Sequence, residues 1–201
     1  MTTATSDDAV AAAAAAVRDG DVVVYPTETV YGLGADATDP DAVDRVFAVK
    51  GRPRDKPLSV GFAAVDAALE YVDPTDRAER FMRAFLPGPV TVVVERGDDL
   101  PPELTGGDPR VGVRVPGNET ARQLADAAGP VTATSANRSG AGSVRRVDDL
   151  DPAVREAAAV VVDGGETPGG ESTVVDPARG VVHRAGLDAD AVREWLASET
   201  E

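Results

Sequence analysis

The stretch DVVVYPTETVYGLG at residues 21–34 gives the clearest indication of the fold. The β-branched run Asp21–Tyr25 predicts a short buried strand, which the following proline ends. A loop rich in threonine and glycine is expected next, from Thr27 to about Asp39. Its GLGADA run, residues 32–37, matches a loose dinucleotide-binding fingerprint. That fingerprint has to follow a strand directly and open a helix; here it does neither, so dinucleotide binding is not expected.

Helices and strands are interspersed along the rest of the chain. An alanine-rich run after Ser6-Asp7-Asp8 predicts a helix that ends at Gly20, and Pro40 is expected to open a helix over about 40–49. Further strands are predicted at 58–62, 90–95, 111–115, 131–134, 160–162, 173–176 and 181–183. Further helices are predicted at 63–70, 75–85, 119–128, 152–158 and 188–198. This order predicts an α/β fold with a mixed sheet, as one domain over residues 1–201 with its core at about 8–185.

The composition excludes several kinds of site. The 201-residue chain has no cysteine and one histidine, His183. Disulfides and thiolate metal sites are therefore excluded, and a zinc site or a histidine-based triad is not expected. No apolar run approaches the ~20 residues of a membrane span. The alanine-rich run lacks the basic start and cleavage pattern of a signal peptide, so we expect a cytoplasmic protein without membrane contact.

The charge is strongly negative but unevenly distributed. The formal net charge is −15 at pH 7, and the basic residues are 18 arginines and two lysines. Such an acidic, lysine-poor composition indicates either a surface adapted to high salt or an ordinary acidic protein from a GC-rich genome. Both lysines, Lys50 and Lys56, lie in the segment KGRPRDKP at residues 50–57. This segment is either a chance surface cluster or an anion site, and the retention of lysine here favours the anion site.

Two further segments carry polar groups close to predicted strands. Ser135 and Asn137 follow an apolar strand, where open α/β sheets usually bind ligands, and could donate to phosphate oxygens or simply cap the loop. A serine nucleophile is not favoured, because the only histidine is far away in the sequence. The trio Thr27–Thr29 is either part of a turn-rich connector or a ligand contact.

Three more features leave alternatives open. The glycine-rich segment 164–170 could be a mobile lid or an exposed turn. Arg114 interrupts an apolar strand, and Arg184 ends another. Because a desolvated charge is rarely left unpaired, each arginine is expected either in a structural ion pair or on a substrate carboxylate.

Five blocks in this order resemble the YrdC/Sua5 family: PTETVYGLG at 26–34, KGRP to KPL at 50–58, PGPVT at 87–91, VRVP at 113–116 and SAN at 135–137. The resemblance covers about residues 20–185. It implies a twisted α/β fold with a large, concave, positively charged cleft. It further implies threonylcarbamoyl-AMP synthase activity, which joins L-threonine, bicarbonate and ATP and releases pyrophosphate, for t6A formation at adenosine 37 of tRNA. The chain is similar to the short, single-domain members, since longer relatives carry an additional C-terminal domain.

The same resemblance assigns roles to individual residues. The KxR…SxN signature falls on four residues that would hold the ATP phosphates and act in catalysis: Lys50, Arg52, Ser135 and Asn137. Three others would lie near the nucleotide: Lys56, Ser143 and Arg184. Positions that contact threonine match Thr29, Arg114 and Ser172. Many relatives have a histidine near the threonine where this chain has Gly61, which leaves the shape of the amino-acid pocket open.

The implied activity also brings expectations about cofactors and partners. Mg²⁺ is expected to accompany ATP with phosphate and water ligands. The product would pass to the enzymes that transfer threonylcarbamoyl to tRNA. One alternative is a double-stranded RNA-binding module without catalysis. Because such binding depends on phosphate neutralisation, we expect it to be weak or absent in so acidic a protein. Another alternative is a paralogue that acts on a different carbamoyl substrate.

Overall fold

The computed structural model describes residues 6–199, which fold around one ten-stranded sheet. The helices are α1 (Ser6–Arg18), α2 (Pro40–Lys50), α3 (Val65–Ala68), α4 (Asp76–Phe85), α5 (Glu119–Ala128), α6 (Pro152–Ala157) and α7 (Ala189–Ser198). The strands are β1 (Val22–Tyr25), β2 (Gly32–Gly34), β3 (Ser59–Gly61), β4 (Val72–Asp73), β5 (Val90–Arg96), β6 (Arg110–Arg114), β7 (Val131–Ser135), β8 (Ala158–Val161), β9 (Thr173–Asp176) and β10 (Val181–Arg184). The ends of the predicted domain, residues 1–5 and 200–201, lie outside the described residues.

The sheet is mixed, which confirms the predicted fold class. Its strand order is β10-β9-β5-β6-β3-β7-β2-β1-β8, with β4 paired to β5 at the side. Three neighbouring pairs run parallel, namely β1 with β8, β3 with β6 and β5 with β9. The remaining pairs are antiparallel. Parallel and antiparallel pairs in one sheet are what interspersed helices and strands predict.

Hydrophobic residues fill both faces of this sheet. Successive residues of β1 point in opposite directions, so Val22 and Val24 join one apolar cluster while Val23 and Tyr25 join another. The second cluster also contains the buried faces of α1 and α5, and the first contains those of α2, α4 and α6. Helices therefore pack on both faces of the sheet, although not over its whole width. Within residues 6–199, no helix is long and apolar enough to cross a membrane.

One strand lies where the sequence predicted a loop. Gly32–Gly34 forms β2, which pairs with β1 on one side and with β7 on the other. A Cβ on Gly34 would lie 2.5 Å from a Val131 methyl and 2.8 Å from the Tyr25 ring. Close packing, and not a tight phosphate-binding turn, therefore requires glycine at this position. The prediction of a loop across these residues was wrong, because glycine carries no strand propensity.

The helix boundaries follow mostly from capping. The Asp39 side chain accepts a hydrogen bond from the Asp41 N–H at the start of α2, with Pro40 at its first position. Gly51 ends α2 in the left-handed region, at φ 57°. This geometry leaves Lys50 as the last residue of α2, close to the loop that follows β7. The predicted helix at 63–70 is shorter than expected, since α3 covers four residues only.

Candidate functional site

A cavity of about 820 Å³ opens on the sheet face formed by β3, β5, β6, β7, β9 and β10. Cavities of this size are typical of sites for nucleotides and other small molecules. Seven of the ten residues assigned by sequence line it: Thr29, Arg52, Arg114, Ser135, Ser143, Ser172 and Arg184. They come from six separate parts of the chain, so the fold brings them together as the resemblance implies.

Two guanidinium groups carry positive charge in the cavity. Arg52 donates from Nε to the carbonyl of Lys56 at 2.9 Å and from a terminal nitrogen to the carbonyl of Pro57 at 3.0 Å. Burial, and then the positive charge of Arg184, lower the pKa of Arg52. Two like charges this close favour an anion between them, because an anion relieves their repulsion. This part of the cavity is suited to phosphate.

Arg184 is tied to the cavity floor through Ser172. Its Nε donates to the Ser172 carbonyl at 3.0 Å, and a terminal nitrogen lies 2.9 Å from Ser172 Oγ. Ser172 Oγ lies 3.0 Å from Thr91 Oγ1, which extends the chain of hydrogen bonds to β5. The nearest carboxylate to Arg184 is that of the exposed Glu171, at 3.9 Å. Arg184 is therefore held in place mainly by neutral groups, and its charge is available to a ligand.

Arg114 of β6 also lines the cavity and is paired with Glu28. The two side chains form an ion pair and are only 13% and 17% exposed. Glu28 Oε2 and Arg114 Nε are both buried without a hydrogen-bond partner among the described residues. The pair lies near Tyr25, whose pKa is raised to about 12 by burial, with smaller opposing effects of Arg114 and Glu28. Arg114 is thus in an ion pair, which is one of the two alternatives from the sequence, and it also lines the cavity; its contact with a substrate carboxylate stays a prediction.

The register of the sheet places the departure from the family pattern beside Arg114. Gly61 of β3 is the parallel cross-strand partner of Arg114. A Cβ at Gly61 would meet the Val131 carbonyl at 3.5 Å and the Ala133 Cβ at 3.7 Å, which are ordinary contact distances. A side chain is therefore sterically possible here, and its absence leaves the space next to Arg114 open.

Thr29 sits under the glycine-rich segment 164–170. Thr29 is buried, and its carbonyl accepts a hydrogen bond from the Gly169 N–H at 2.7 Å. Thr167 is held by hydrogen bonds with the Arg145 backbone and side chain at 2.9 and 3.0 Å. Glu166 adds exposed ion pairs to Arg145 and Arg146. The segment is tied to Thr29 at the wall of the cavity, and whether it opens as a lid stays a prediction.

Three residues assigned by sequence do not line the cavity. Lys50 is 2% exposed, and its ammonium donates to the carbonyls of Ser135 and Asn137. Burial, and then the charge of Arg52, lower the pKa of Lys50 to about 8. The Asn137 amide donates within its own loop, and Lys56 is exposed on the surface. Direct phosphate contact by these three residues remains a prediction.

Other polar groups in or near the cavity gave no clear sequence signal. Arg110 of β6 lines the cavity and pairs with Asp176 at 3.0 Å and with Asp108 at 3.3 Å. Asp176 is almost fully buried and also accepts from the Arg179 N–H. An arginine and an aspartate 66 residues apart share no local pattern. Alternation along β6, which puts Arg110, Gly112 and Arg114 on one face, is the one signal that could have identified Arg110.

Within residues 6–199, no group of three or more histidine, cysteine, aspartate or glutamate side chains is arranged to hold a metal ion. The cavity does contain single carboxylates, at Asp55, Asp108 and Glu171. Such isolated carboxylates suit a divalent ion that arrives already bound to a polyphosphate, because Mg²⁺ keeps several of its water and phosphate ligands.

The sequence matches the Sua5/YciO/YrdC family, whose description is telomere recombination, over residues 15–186. Threonylcarbamoyl-AMP synthase from Pyrococcus abyssi is 41% identical over 168 residues, 82% of this chain and 49% of the relative. Threonylcarbamoyl-AMP synthase from Pseudoalteromonas translucida is 34% identical over 183 residues, 87% of this chain and 96% of the relative. The structure of P. abyssi Sua5 complexed with L-threonine superimposes with a TM-score of 0.78 at 39% identity, covering 86% of this chain and 51% of that one.

The match to P. abyssi concerns part of a longer protein. This chain spans about half the length of that relative, at 49%, and 51% of the relative from Bacillus subtilis. The family match nevertheless covers most of the present chain, including every residue that lines the cavity. The chain belongs to the Sua5/YciO/YrdC family.

Proposed function

We propose that this chain is an L-threonylcarbamoyladenylate synthase, a nucleotidyltransferase that uses L-threonine, bicarbonate and ATP and releases pyrophosphate. The observation that carries the proposal is one cavity that collects arginines with different partners. Arg52 and Arg184 are held mainly by neutral groups, and Ser135 and Ser172 line the cavity with them. Arg114 and Thr29 line the same cavity. The first two arginines suit a triphosphate and Arg114 suits the carboxylate of an amino acid, and both relatives described above are named for this reaction.

The chemistry requires alignment more than covalent help. The threonine amine and bicarbonate form a carbamate with loss of water, and a carbamate oxygen then bonds to the α-phosphorus of ATP as the bond to pyrophosphate breaks. Charge that develops on the phosphate oxygens is neutralised by Arg52 and Arg184, and the Ser135 hydroxyl adds a neutral donor. Arg114 binds the α-carboxylate of threonine and so fixes the amine with respect to the α-phosphorus. Mg²⁺ bound to ATP supplies further neutralisation of the polyphosphate.

The proposal extends to the cellular role. The adenylate would serve as activated donor for t6A formation at adenosine 37 of tRNA, through a separate transfer machinery in the cytoplasm. Direct binding to RNA would be weak, because a chain with a net charge of −15 repels a polyanion. The arginines of the cavity are recessed in a small-molecule site, which suits a nucleotide better than a duplex.

The test is release of pyrophosphate from ATP, with the adenylate identified by mass spectrometry. Release is expected only when L-threonine and bicarbonate are both present, and it should fall when serine replaces threonine. The assay is run at low and at molar salt, because an acidic surface can require salt for full activity. Release that is independent of threonine would assign another adenylating activity. A shift of duplex RNA at high salt without turnover of ATP would assign the RNA-binding alternative.

A further inference from the structure

Lys50 makes contacts that differ from those expected of a phosphate-binding residue. It is the last residue of α2, is almost completely buried and does not line the cavity. Its ammonium donates to the carbonyl oxygens of Ser135 and of Asn137, the latter at 2.7 Å. Ser135 is the last residue of β7 and Asn137 lies in the loop that follows it, so both acceptors belong to the segment 135–141. The positive charge of Lys50 is thus directed at backbone oxygens of that loop and away from the open cavity.

The contact between α2 and this loop is reciprocal. The Ser139 N–H donates back to the Lys50 carbonyl at 2.9 Å. Within the loop, the Asn137 amide donates to the carbonyls of Arg138 at 2.8 Å and of Ala141 at 2.7 Å. Three hydrogen bonds therefore join the end of α2 to the loop, and two more close the loop on itself.

Physical considerations favour this use of a lysine. The carboxyl end of a helix carries partial negative charge, which an ammonium in the last turn offsets. An ammonium has three N–H donors, so it can satisfy two loop carbonyls at once. If it left to meet a phosphate, those carbonyls would lose a charge-assisted partner in a mostly buried place, which is costly.

We infer that Lys50 is a positioning residue: it fixes the loop 135–141, and through it the Ser135 side chain, while Arg52 and Arg184 contact the polyphosphate. The position of Ser135 is the important consequence, because Ser135 is the last residue of β7 and lines the cavity. Asn137 belongs to the same support. The part concerning polyphosphate rests on the proposed function, whereas the link between Lys50 and the loop does not.

The experiment is hydrogen–deuterium exchange of the free full-length protein, followed by mass spectrometry. Lys50→Met removes the donors and keeps the length of the side chain. Lys56→Met is the matched control, because it removes the only other lysine, which is exposed and lies in the same segment, 50–57. In Lys50→Met, exchange in peptides covering 135–141 should rise at least tenfold, while peptides of β5, residues 90–96, keep their protection. Lys56→Met should leave both regions as in the wild type.

A titration with inorganic pyrophosphate separates positioning from direct contact. If Lys50 itself bound phosphate, Lys50→Met would bind pyrophosphate at least tenfold more weakly while exchange of the loop stayed unchanged, and that result overturns the inference.

If Lys50→Met does not fold, Lys50→Gln is measured, since its amide keeps two donors. Faster loop exchange in Lys50→Gln supports the inference, and wild-type exchange with weakened pyrophosphate binding overturns it. Failure of the proposed function would instead appear as absent turnover in a wild-type protein whose loop still depends on Lys50.

Discussion

Replacing Arg114 with methionine is expected to abolish most threonine binding and to destabilise the fold, whereas replacing Glu28 with glutamine should affect stability alone. Arg114 and Glu28 form an ion pair in which both side chains are mostly buried. Removal of one partner leaves the other charge without its counterion, which costs about 3–5 kcal/mol in a buried pair. Because 13% and 17% of the two side chains remain exposed, the lower end of that range applies here. For a chain of this size, about 3 kcal/mol lowers the melting temperature by about 6–12 °C.

The two substitutions differ in their effect on the ligand. Loss of a charge-assisted hydrogen bond to the threonine carboxylate costs about 1.5–3 kcal/mol, so Arg114→Met should weaken threonine binding by about 10- to 150-fold. Glu28→Gln keeps the guanidinium and removes a carboxylate that competes for it, so threonine should bind at least as well as in the wild type. Isothermal calorimetry with threonine and thermal unfolding measure the two effects. Surface variants of the same chemical kind, Arg193→Met and Glu119→Gln, are the controls.

The double variant decides whether the pair acts as a unit. When both charges are removed together, no unpaired ion is left, so the loss of stability should be about 2 kcal/mol smaller than the sum of the two single losses. Strict additivity would show that the two side chains do not depend on each other. Unchanged threonine affinity in Arg114→Met would refute the assignment of Arg114 to the threonine carboxylate, and Arg114 would then be a structural partner of Glu28 only.

Three further predictions address other parts of the molecule. Arg52→Ala should lower pyrophosphate release about tenfold or more. It should change the melting temperature by less than about 2 °C, because the Arg52 guanidinium bonds only to carbonyls of an exposed loop. A large fall in the melting temperature would instead assign a structural role to Arg52. Gly34→Ala should cost about 1–3 kcal/mol of stability in urea unfolding, since the new methyl would lie 2.5 Å from Val131; unaltered stability would contradict this packing. For Lys50, the folded pKa of about 8 lies below the ordinary lysine pKa of 10.5, so the unfolded state binds more protons between these pH values. The free energy of unfolding should therefore rise with pH in this range. Lys50→Met should lack this rise in urea unfolding at pH 7.5, 9 and 10, and an equal slope in both proteins would contradict the assignment.

The sequence could predict the strands that carry the cavity. Arg114, Ser135 and Arg184 each end a strand that the apolar pattern predicted. β3 pairs parallel with β6 and antiparallel with β7, so the ends of β6 and β7 lie at opposite edges of the sheet. The strands alone therefore could not place Arg114 and Ser135 in one cavity, and that expectation came from the resemblance of the motifs.

The remaining features depend on tertiary packing, which leaves no local pattern. The strand Gly32–Gly34 contains glycine because the side chains of Tyr25 and Val131 occupy the space that larger residues would need. Glu28 belonged to a polar trio with two possible explanations, and only the fold shows that its partner is Arg114, 86 residues away. Lys50 was grouped with Arg52 by their spacing in the sequence. The end of the helix between them turns one side chain toward the loop after β7 and the other toward the cavity.

A polyanion site in a chain with a net charge of −15 requires cations that are not already neutralised. Elsewhere in the described chain, many arginines face a carboxylate, as Arg54 does with Asp44 and Arg83 with Asp66 and Glu79. Arg52 takes part in no ion pair among residues 6–199 and is held by two carbonyl oxygens instead. Carbonyls orient a guanidinium without cancelling its charge, so its attraction for phosphate is retained. Repulsion from distant surface carboxylates is screened by salt beyond about 8–10 Å, whereas a phosphate in contact with Arg52 is not. The local arrangement around Arg52 therefore outweighs the net charge of the molecule, and the acidic surface is compatible with ATP as a substrate.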